Sequence, residues 1–173
     1  MAFTVTAVQK DNKEDTIEIT IDGSYDGTLT AITLDIVSPD GDPYQSAFFP
    51  GVILTNPVVF PSSYDVTASD FSIPSEKFID GAWSITATFD YSDAPQQITP
   101  LEHFLFNNNL KNEYIDLLEE TVPLGIISNE NTKKIRGDVR EALQASETFF
   151  SLSRYTDVKR VLDAGSDIIK GRI

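Results

Sequence analysis

Residues 80–91, DGAWSITATFDY, are the stretch that most restricts how this chain can fold. From Trp83 to Tyr91, apolar and polar residues alternate, so an extended strand here would have one apolar side and one polar side. The Asp-Gly pair in front of it is a turn signal. An apolar face that carries the chain's only Trp needs a second layer to cover it. The pattern therefore predicts a β-sandwich in the first half of the chain.

The same alternation predicts further strands around this one. Thr16–Asp22 places three isoleucines on one face and polar residues on the other. Turn signals separate such runs at intervals of roughly 8–12 residues, which is typical of a sandwich of about seven strands. The clearest predicted strands are Phe3–Gln9, Thr16–Asp22, Leu29–Val37, Asp80–Tyr91 and Gln97–Phe106.

The segment Tyr44–Pro61 fits this scheme less well, because it is aromatic and apolar but contains three prolines. Short edge strands at Gly51–Thr55 and Pro57–Phe60 are compatible with it, since Pro cannot donate to a strand ladder. The segment either packs on the sandwich or forms a contact surface for a partner. In the second case its candidate interface residues are Phe48, Phe49, Val52 and Ile53.

From Asn107 onwards the hydrophobic period becomes helical. Three amphipathic helices of roughly four turns or fewer are expected, and their apolar stripes run through Leu110–Leu118, Ile135–Phe150 and Val158–Ile169. The predicted fold class is thus α+β. An N-terminal Ig-like antiparallel β-sandwich (residues 1–100) is followed by a C-terminal helical assembly region of about three helices (residues 101–173).

Composition limits the chemistry that the chain can perform. Among its 173 residues there is no Cys, so disulfides and thiolate metal sites are excluded and a reducing cytosol suits the chain. The N-terminus does not have the pattern of a signal peptide, and no apolar run approaches the roughly 18–20 residues of a membrane-spanning helix. A water-soluble protein is expected.

No catalytic, cofactor or metal site is expected either. His103 is the only histidine, and no local pattern supplies a nucleophile or an orienting group for it. Two acidic groups, Asp11 with Glu14 and Asp15, and Asp40 with Asp42, could offer oxygen ligands to Ca²⁺. Neither matches the calcium-binding loop pattern, and the same residue types are common in ordinary turns. The chain is therefore predicted not to be an enzyme.

Charge is distributed unevenly along the chain, whose net charge is −14. Residues 1–100 carry 15 acidic and 3 basic side chains, whereas residues 101–173 carry 12 and 10. An acidic first half argues against direct nucleic-acid binding, which depends on clustered Lys and Arg. Its charge could also serve solubility alone.

The basic side chains are concentrated on the predicted second and third helices. They either form a solvated helix face or dock on an acidic neighbour, such as the sandwich of another copy of the chain. The candidate interface residues in this group are Lys133, Lys134, Arg136, Arg140, Arg154 and Arg160.

The layout as a whole resembles a known class of viral proteins. A sandwich strand DGAWSITATF, followed by LEHFLF and then by the helical stripes at Ile135–Phe150 and Val158–Ile169, is similar to virion structural proteins of tailed bacteriophages. The resemblance is to neck and tail ring proteins, as in crAss-like phages. It implies a non-enzymatic subunit of a homo-oligomeric ring that contacts portal, neck or tail proteins. Such a subunit is assembled in the host cytoplasm, resides in the virion and needs no cofactor or membrane.

An alternative function remains open at this point. The loops of an Ig-like sandwich could recognise a carbohydrate or a protein on a host surface. The aromatic residues Tyr25, Tyr44 and Tyr64 would then provide the stacking surfaces.

Overall fold

A computed structural model describes residues 3–10, 16–47, 58–59, 62–121 and 129–171. The predicted α+β class, with an N-terminal antiparallel sandwich and three C-terminal helices, is confirmed. The chain divides into two compact units. Among the described residues, the sandwich unit comprises 3–10, 16–47, 58–59, 62–78 and 83–104, and the helical unit comprises 79–82, 105–121 and 129–171.

Ten strands lie in the described residues, seven of five residues or more and three of two residues. They are β1 (Thr4–Gln9), β2 (Thr16–Asp22), β3 (Ser24–Tyr25), β4 (Leu29–Val37), β5 (Pro43–Ala47), β6 (Val58–Val59), β7 (Ser62–Thr67), β8 (Gly81–Tyr91), β9 (Gln97–Ile98) and β10 (Glu102–Phe106). One sheet has the order β1-β2-β7, and a second has the order β10-β8-β4-β5 with β9 also paired to β8. Strands β3 and β6 form a two-stranded ribbon.

The apolar faces predicted from alternation form the core of the sandwich unit. Neighbouring strands align them in register, as in the pairs Leu34–Ala87 and Ile36–Ile85 of β4 and β8. Trp83 is fully buried, with its ring centroid 5.3 Å from that of Phe78 and 6.3 Å from that of Phe104. The rings of Phe3 and Phe89 stack at 4.4 Å. Buried aromatic pairs of this kind stabilise a core beyond the area that they remove from water.

Strand β5 is not among the predicted strands, and one predicted strand is divided in the structure. Strand β5 begins at Pro43, the last residue of a Pro-Asp-Gly-Asp-Pro run whose residue types favour a turn. Its Pro has no N–H to donate, but as the first residue of a strand at the end of the sheet order it needs none. The single predicted strand Gln97–Phe106 is instead the pair β9 and β10, interrupted around Pro100. The predicted strand Gly51–Thr55 lies outside the described residues.

The helices are α1 (Asn108–Thr121), α2 (Asn129–Ser151) and α3 (Tyr155–Lys170). At 23 residues, α2 has about six turns, so the expected limit of four turns is wrong for this helix. Ser153 adopts a left-handed φ of 57° and does not cap α3. Its N–H donates to the carbonyl of Phe150 and that of Arg154 to the carbonyl of Phe149, so Ser153 ends α2 in a Schellman motif.

The predicted stripes of the three helices form the core of the helical unit. Ile135, Val139, Val158 and Leu162 are buried there, together with Leu110 of α1. Gly165 is the point of closest approach in this core. A Cβ atom built on it would lie 3.0 Å from the Cβ of Ala142 and 3.2 Å from a methyl of Leu110. Glycine at this position therefore allows α1 and α2 to pack directly on the backbone of α3.

Replacing Gly165 by Val should destabilise the helical unit by about 2 kcal/mol or more, because the branched side chain would be forced into Ala142 and Leu110. Gly137→Ala is the matched control, since Gly137 is an exposed helical glycine with no atom within 4 Å of its added Cβ. This control should raise stability by about 0.5–1 kcal/mol through helix propensity. Urea unfolding followed by circular dichroism measures both, and equal effects of the two substitutions would contradict the packing described.

Candidate interface on the helical unit

The start of α1 is held by a carboxylate that lies far away in the sequence. The N–H groups of Asn109 and Leu110 donate to the two carboxylate oxygens of Asp80, at 3.0 and 2.9 Å. Such N–H groups have no acceptor inside their own helix, so a side chain that accepts from them stabilises the helix start. Asp80 was assigned from the sequence only to the turn before β8, and its capping role depends on the tertiary fold.

This cap titrates in an unusual range. Burial of the Asp80 carboxyl raises its pKa to about 6, although the two backbone N–H groups oppose the change by favouring the ionised form. The carboxylates of Glu113 and Asp163 raise the pKa further.

A second set of contacts fixes α1 against α3. The hydroxyl of Ser166 donates to Glu113 at 2.6 Å, and the Nζ atom of Lys170 lies 3.6 Å from the other oxygen of the same carboxylate. Together with the buried Leu110 and Leu117, these contacts set where α1 lies beside the other two helices. These contacts leave the side of α1 that faces α2 uncovered.

An open groove of about 500 Å³ runs between α1 and α2. Its floor is apolar and consists of Tyr114 and Leu118 from α1 and Val139 and Leu143 from α2. Two cations, Arg136 and Arg140, stand along its α2 side, and Glu147 lies on the same side about two turns beyond Arg140. An apolar floor with charged groups beside it is the usual composition of a protein-binding surface.

The structure separates the predicted basic residues into two groups, and the first forms ion pairs within α3 and its preceding turn. Arg154 and Arg160 both contact Asp157, at 2.7 and 2.8 Å, and the Arg154 guanidinium also lies 4.8 Å from the centre of the Phe149 ring. Lys159 contacts Asp163 at 2.7 Å. These side chains are therefore engaged within their own chain.

The second group lies on α2 and consists of Lys133, Lys134, Arg136 and Arg140. All four side chains are exposed, and none forms an ion pair with another described residue. Their positive charge is available to a partner. We call these four residues the α2 basic face.

The sandwich unit has the opposite charge balance. Its two described lysines are both occupied, Lys10 by Asp65 at 2.8 Å and by Glu18 at 3.8 Å, and Lys77 by Asp42 at 3.4 Å. Because the carboxylates outnumber these two cations several-fold, the surface of this unit carries an excess of negative charge.

Most of the other predicted site residues are not described by the structure. Phe48, Phe49, Val52 and Ile53 lie outside the described residues, as do the acidic residues Asp11, Glu14 and Asp15. Asp42 faces Lys77. Within the part of the chain that the structure describes, no three His, Asp or Glu side chains are grouped as a metal site requires.

His103 and the three predicted stacking tyrosines also occupy separate places. His103 is half-buried on β10, and this burial lowers its pKa while the neighbouring Glu102 opposes the change. Tyr25, Tyr44 and Tyr64 lie on β3, β5 and β7, which belong to three different sheets. Tyr25 packs on Tyr91 and donates its hydroxyl to Asp93 at 2.9 Å, and Tyr44 packs near Trp83. The three tyrosines therefore do not share one strand or sheet as a common platform.

Sequence reasoning did not identify the groove itself. The residues of its floor belong to the predicted apolar stripes, but the stripes alone do not show which parts of them remain uncovered between α1 and α2.

Among the described helices, none is long and apolar enough to cross a membrane.

No protein-family model matches this chain, and neither does any curated protein. Its structure is similar to part of a family 76 glycoside hydrolase from a bovine Bacteroides thetaiotaomicron strain, at 9% identity and a TM-score of 0.42, over 66% of this chain and 24% of that one. A polysaccharide deacetylase from Bacillus cereus matches at 11% identity and a TM-score of 0.38, over 69% and 43%. The chain thus spans less than half the length of either protein, and at these TM-scores the likeness supports no inference about function.

The Asp80 cap predicts a specific dependence of stability on pH. Because its pKa is raised from 3.8 to about 6, the folded protein holds a proton in this interval that the unfolded chain has released. The stability that this carboxyl contributes is complete below pH 3.8 and is lost as the pH rises through 6. Asp80→Asn removes the titration but keeps an acceptor, so its stability relative to the native protein should fall by about 2 kcal/mol between pH 7.5 and 4.5.

Urea unfolding of both proteins at the two pH values measures this change. Asp80→Ala is the control for the hydrogen bonds, since it removes the acceptor and should be less stable than Asp80→Asn at both pH values. Parallel pH dependences of the native protein and Asp80→Asn would contradict the assignment.

Proposed function

We propose that this chain is a structural subunit of a multi-copy bacteriophage virion assembly, a neck (head-to-tail) or tail ring protein that acts through protein–protein interfaces. The observation that carries the proposal is the α2 basic face, four exposed cations without an ion-pair partner among the described residues. The virion and the ring are what the resemblance of the chain's layout to phage ring proteins implies. No catalytic step and no cofactor enter this proposal.

The charge balance of the two units favours a second copy as the neighbour. Each copy offers an α2 basic face and an acidic sandwich surface, so contact between the two kinds of surface joins copies in a head-to-tail manner. Such a contact is heterologous, and it closes into a ring when the rotation between neighbours permits. The like-charged sandwich surfaces repel each other, which disfavours a symmetric contact between two sandwiches.

Electrostatics alone does not provide the affinity of such an assembly. Exposed ion pairs contribute about 0–1 kcal/mol each and are screened by salt. They set the orientation and accelerate the encounter, whereas apolar contact area provides most of the free energy of association. The groove between α1 and α2 offers such area directly beside Arg136 and Arg140.

A binding module for host-surface carbohydrate or protein ranks second. Its predicted stacking residues lie on three different sheets, and Tyr25 is already held by Tyr91 and Asp93. A monomer that binds a glycan in an array screen would favour this function over the ring.

The purified chain should form a discrete closed oligomer as its concentration rises, because each added copy still presents both kinds of surface until the ring closes. Native mass spectrometry and negative-stain imaging over a concentration series measure this. The oligomer should weaken on going from 50 mM to 1 M salt, since the charges that orient it are exposed.

Replacing all four residues of the α2 basic face by Glu should abolish the oligomer while leaving the helical content unchanged. The matched control is Arg154→Glu with Arg160→Glu, which reverses two cations that already have an internal partner and should have the smaller effect on assembly. A native protein that remains monomeric at every concentration, at both salt levels, would count against a self-assembling ring.

A further inference from the structure

A short segment of the sandwich unit presents two large apolar side chains to solvent. Ile98 is 63% exposed and Leu101 is 58% exposed, and Glu102, which follows directly, is also exposed. The other exposed large apolar side chains among the described residues, Val8 and Leu152, are isolated from these two in the sequence. We call Ile98–Glu102 the apolar corner.

The apolar corner is held by the sheet rather than being a free loop. Thr99 is buried, its N–H donates to the carbonyl of Ala87 at 2.9 Å, and its hydroxyl accepts from the N–H of Ala87 at 2.9 Å. Pro100 follows and restricts the backbone. Ile98 and Leu101 thus flank, in the sequence, two residues whose backbone is fixed, Thr99 and Pro100. A pre-ordered segment binds with a smaller loss of conformational entropy than a flexible one.

We propose that the apolar corner of one copy docks in the groove between α1 and α2 of a second copy. The apolar side chains Ile98 and Leu101 contact the groove floor at Leu118, Val139 and Leu143. Glu102 pairs with Arg136 or Arg140. This inference rests on the proposed function and specifies the two surfaces that the ring would use.

Charge complementarity favours this occupant and sets its direction. The groove has Arg136 and Arg140 at one position and Glu147 further along the same side. A segment that carries a carboxylate at one end and no cation is attracted to the arginine end and repelled from the glutamate end. The apolar corner has this pattern, with Glu102 at its C-terminal end. The direction of docking is therefore set by the chain itself.

The two surfaces lie on different elements, so docking uses one surface of each copy and leaves the other open for the next copy. This property allows a complementation experiment. The corner variant Ile98→Ser with Leu101→Ser loses the apolar contact but keeps the groove. The groove variant Arg136→Glu with Arg140→Glu loses the charge match but keeps the corner. All four positions are exposed, so neither variant disturbs a core.

We expect each variant alone to be monomeric at concentrations where the native chain is oligomeric, with self-association weakened about 100-fold or more. An equimolar mixture should form one 1:1 heterodimer and no larger species, because only one intact corner and one intact groove are present. Native mass spectrometry distinguishes these states. The control Val8→Ser with Arg160→Glu changes an exposed apolar residue and an exposed cation that is paired with Asp157, neither of which belongs to the apolar corner, the groove or the α2 basic face, and it should still form the native oligomer.

Every other outcome would overturn a specific proposal. Variants that assemble like an oligomeric native chain would overturn the two surfaces and leave the ring proposal standing. Monomeric variants that form no heterodimer would show that corner and groove are not partners. A monomeric native chain would overturn both proposals.

Thermal unfolding identifies any variant that fails to fold. If the corner variant fails to fold, the charge swap decides: adding Glu102→Arg to the groove variant should restore homo-oligomers, and failure to do so would overturn the docking.

Discussion

The fold depends on burial of the apolar face of β8. Its alternating side chains can leave water only between two sheets, and Trp83 and Phe89 fill that space through contacts with Phe78, Phe104 and Phe3. The same stretch of chain also serves the helical unit, since Ala82 belongs to the core of the helices and Asp80 accepts the first amides of α1. One segment of about a dozen residues thus specifies a sheet interior and a helix start.

The sequence predicted the elements whose periodicity is undisturbed. Strands β2 and β4 have the predicted bounds, and the stripes of α2 and α3 are buried as expected. Prediction failed where a proline interrupts or begins a strand: Pro100 divides the predicted strand Gln97–Phe106, and Pro43 begins β5, which was not predicted. Such outcomes depend on local backbone geometry and on position within the sheet, which hydrophobic periodicity does not contain.

The candidate interface was only partly predictable for a related reason. A list of basic residues does not show which of them have internal partners. In the structure Asp157 engages Arg154 and Arg160, while the exposed cations of α2 keep their charge for other contacts. The groove beside Arg136 and Arg140 exists because Asp80, Glu113 and Gly165 position α1 against the other helices without covering all of its apolar side. Its shape is a property of three-helix packing, which no single helix pattern reveals.

The Asp80 cap has a consequence for the order in which the helical unit folds. Asp80 accepts hydrogen bonds from backbone amides that lie 29 and 30 residues further along the chain. The first turn of α1 therefore gains its acceptor only after a long loop has closed. The α2–α3 pair has no such requirement, because only Leu152, Ser153 and Arg154 separate the two helices. Contacts of low sequence separation form faster than distant ones. We therefore expect the α2–α3 hairpin to form first in this unit and α1 to dock on it in a later step.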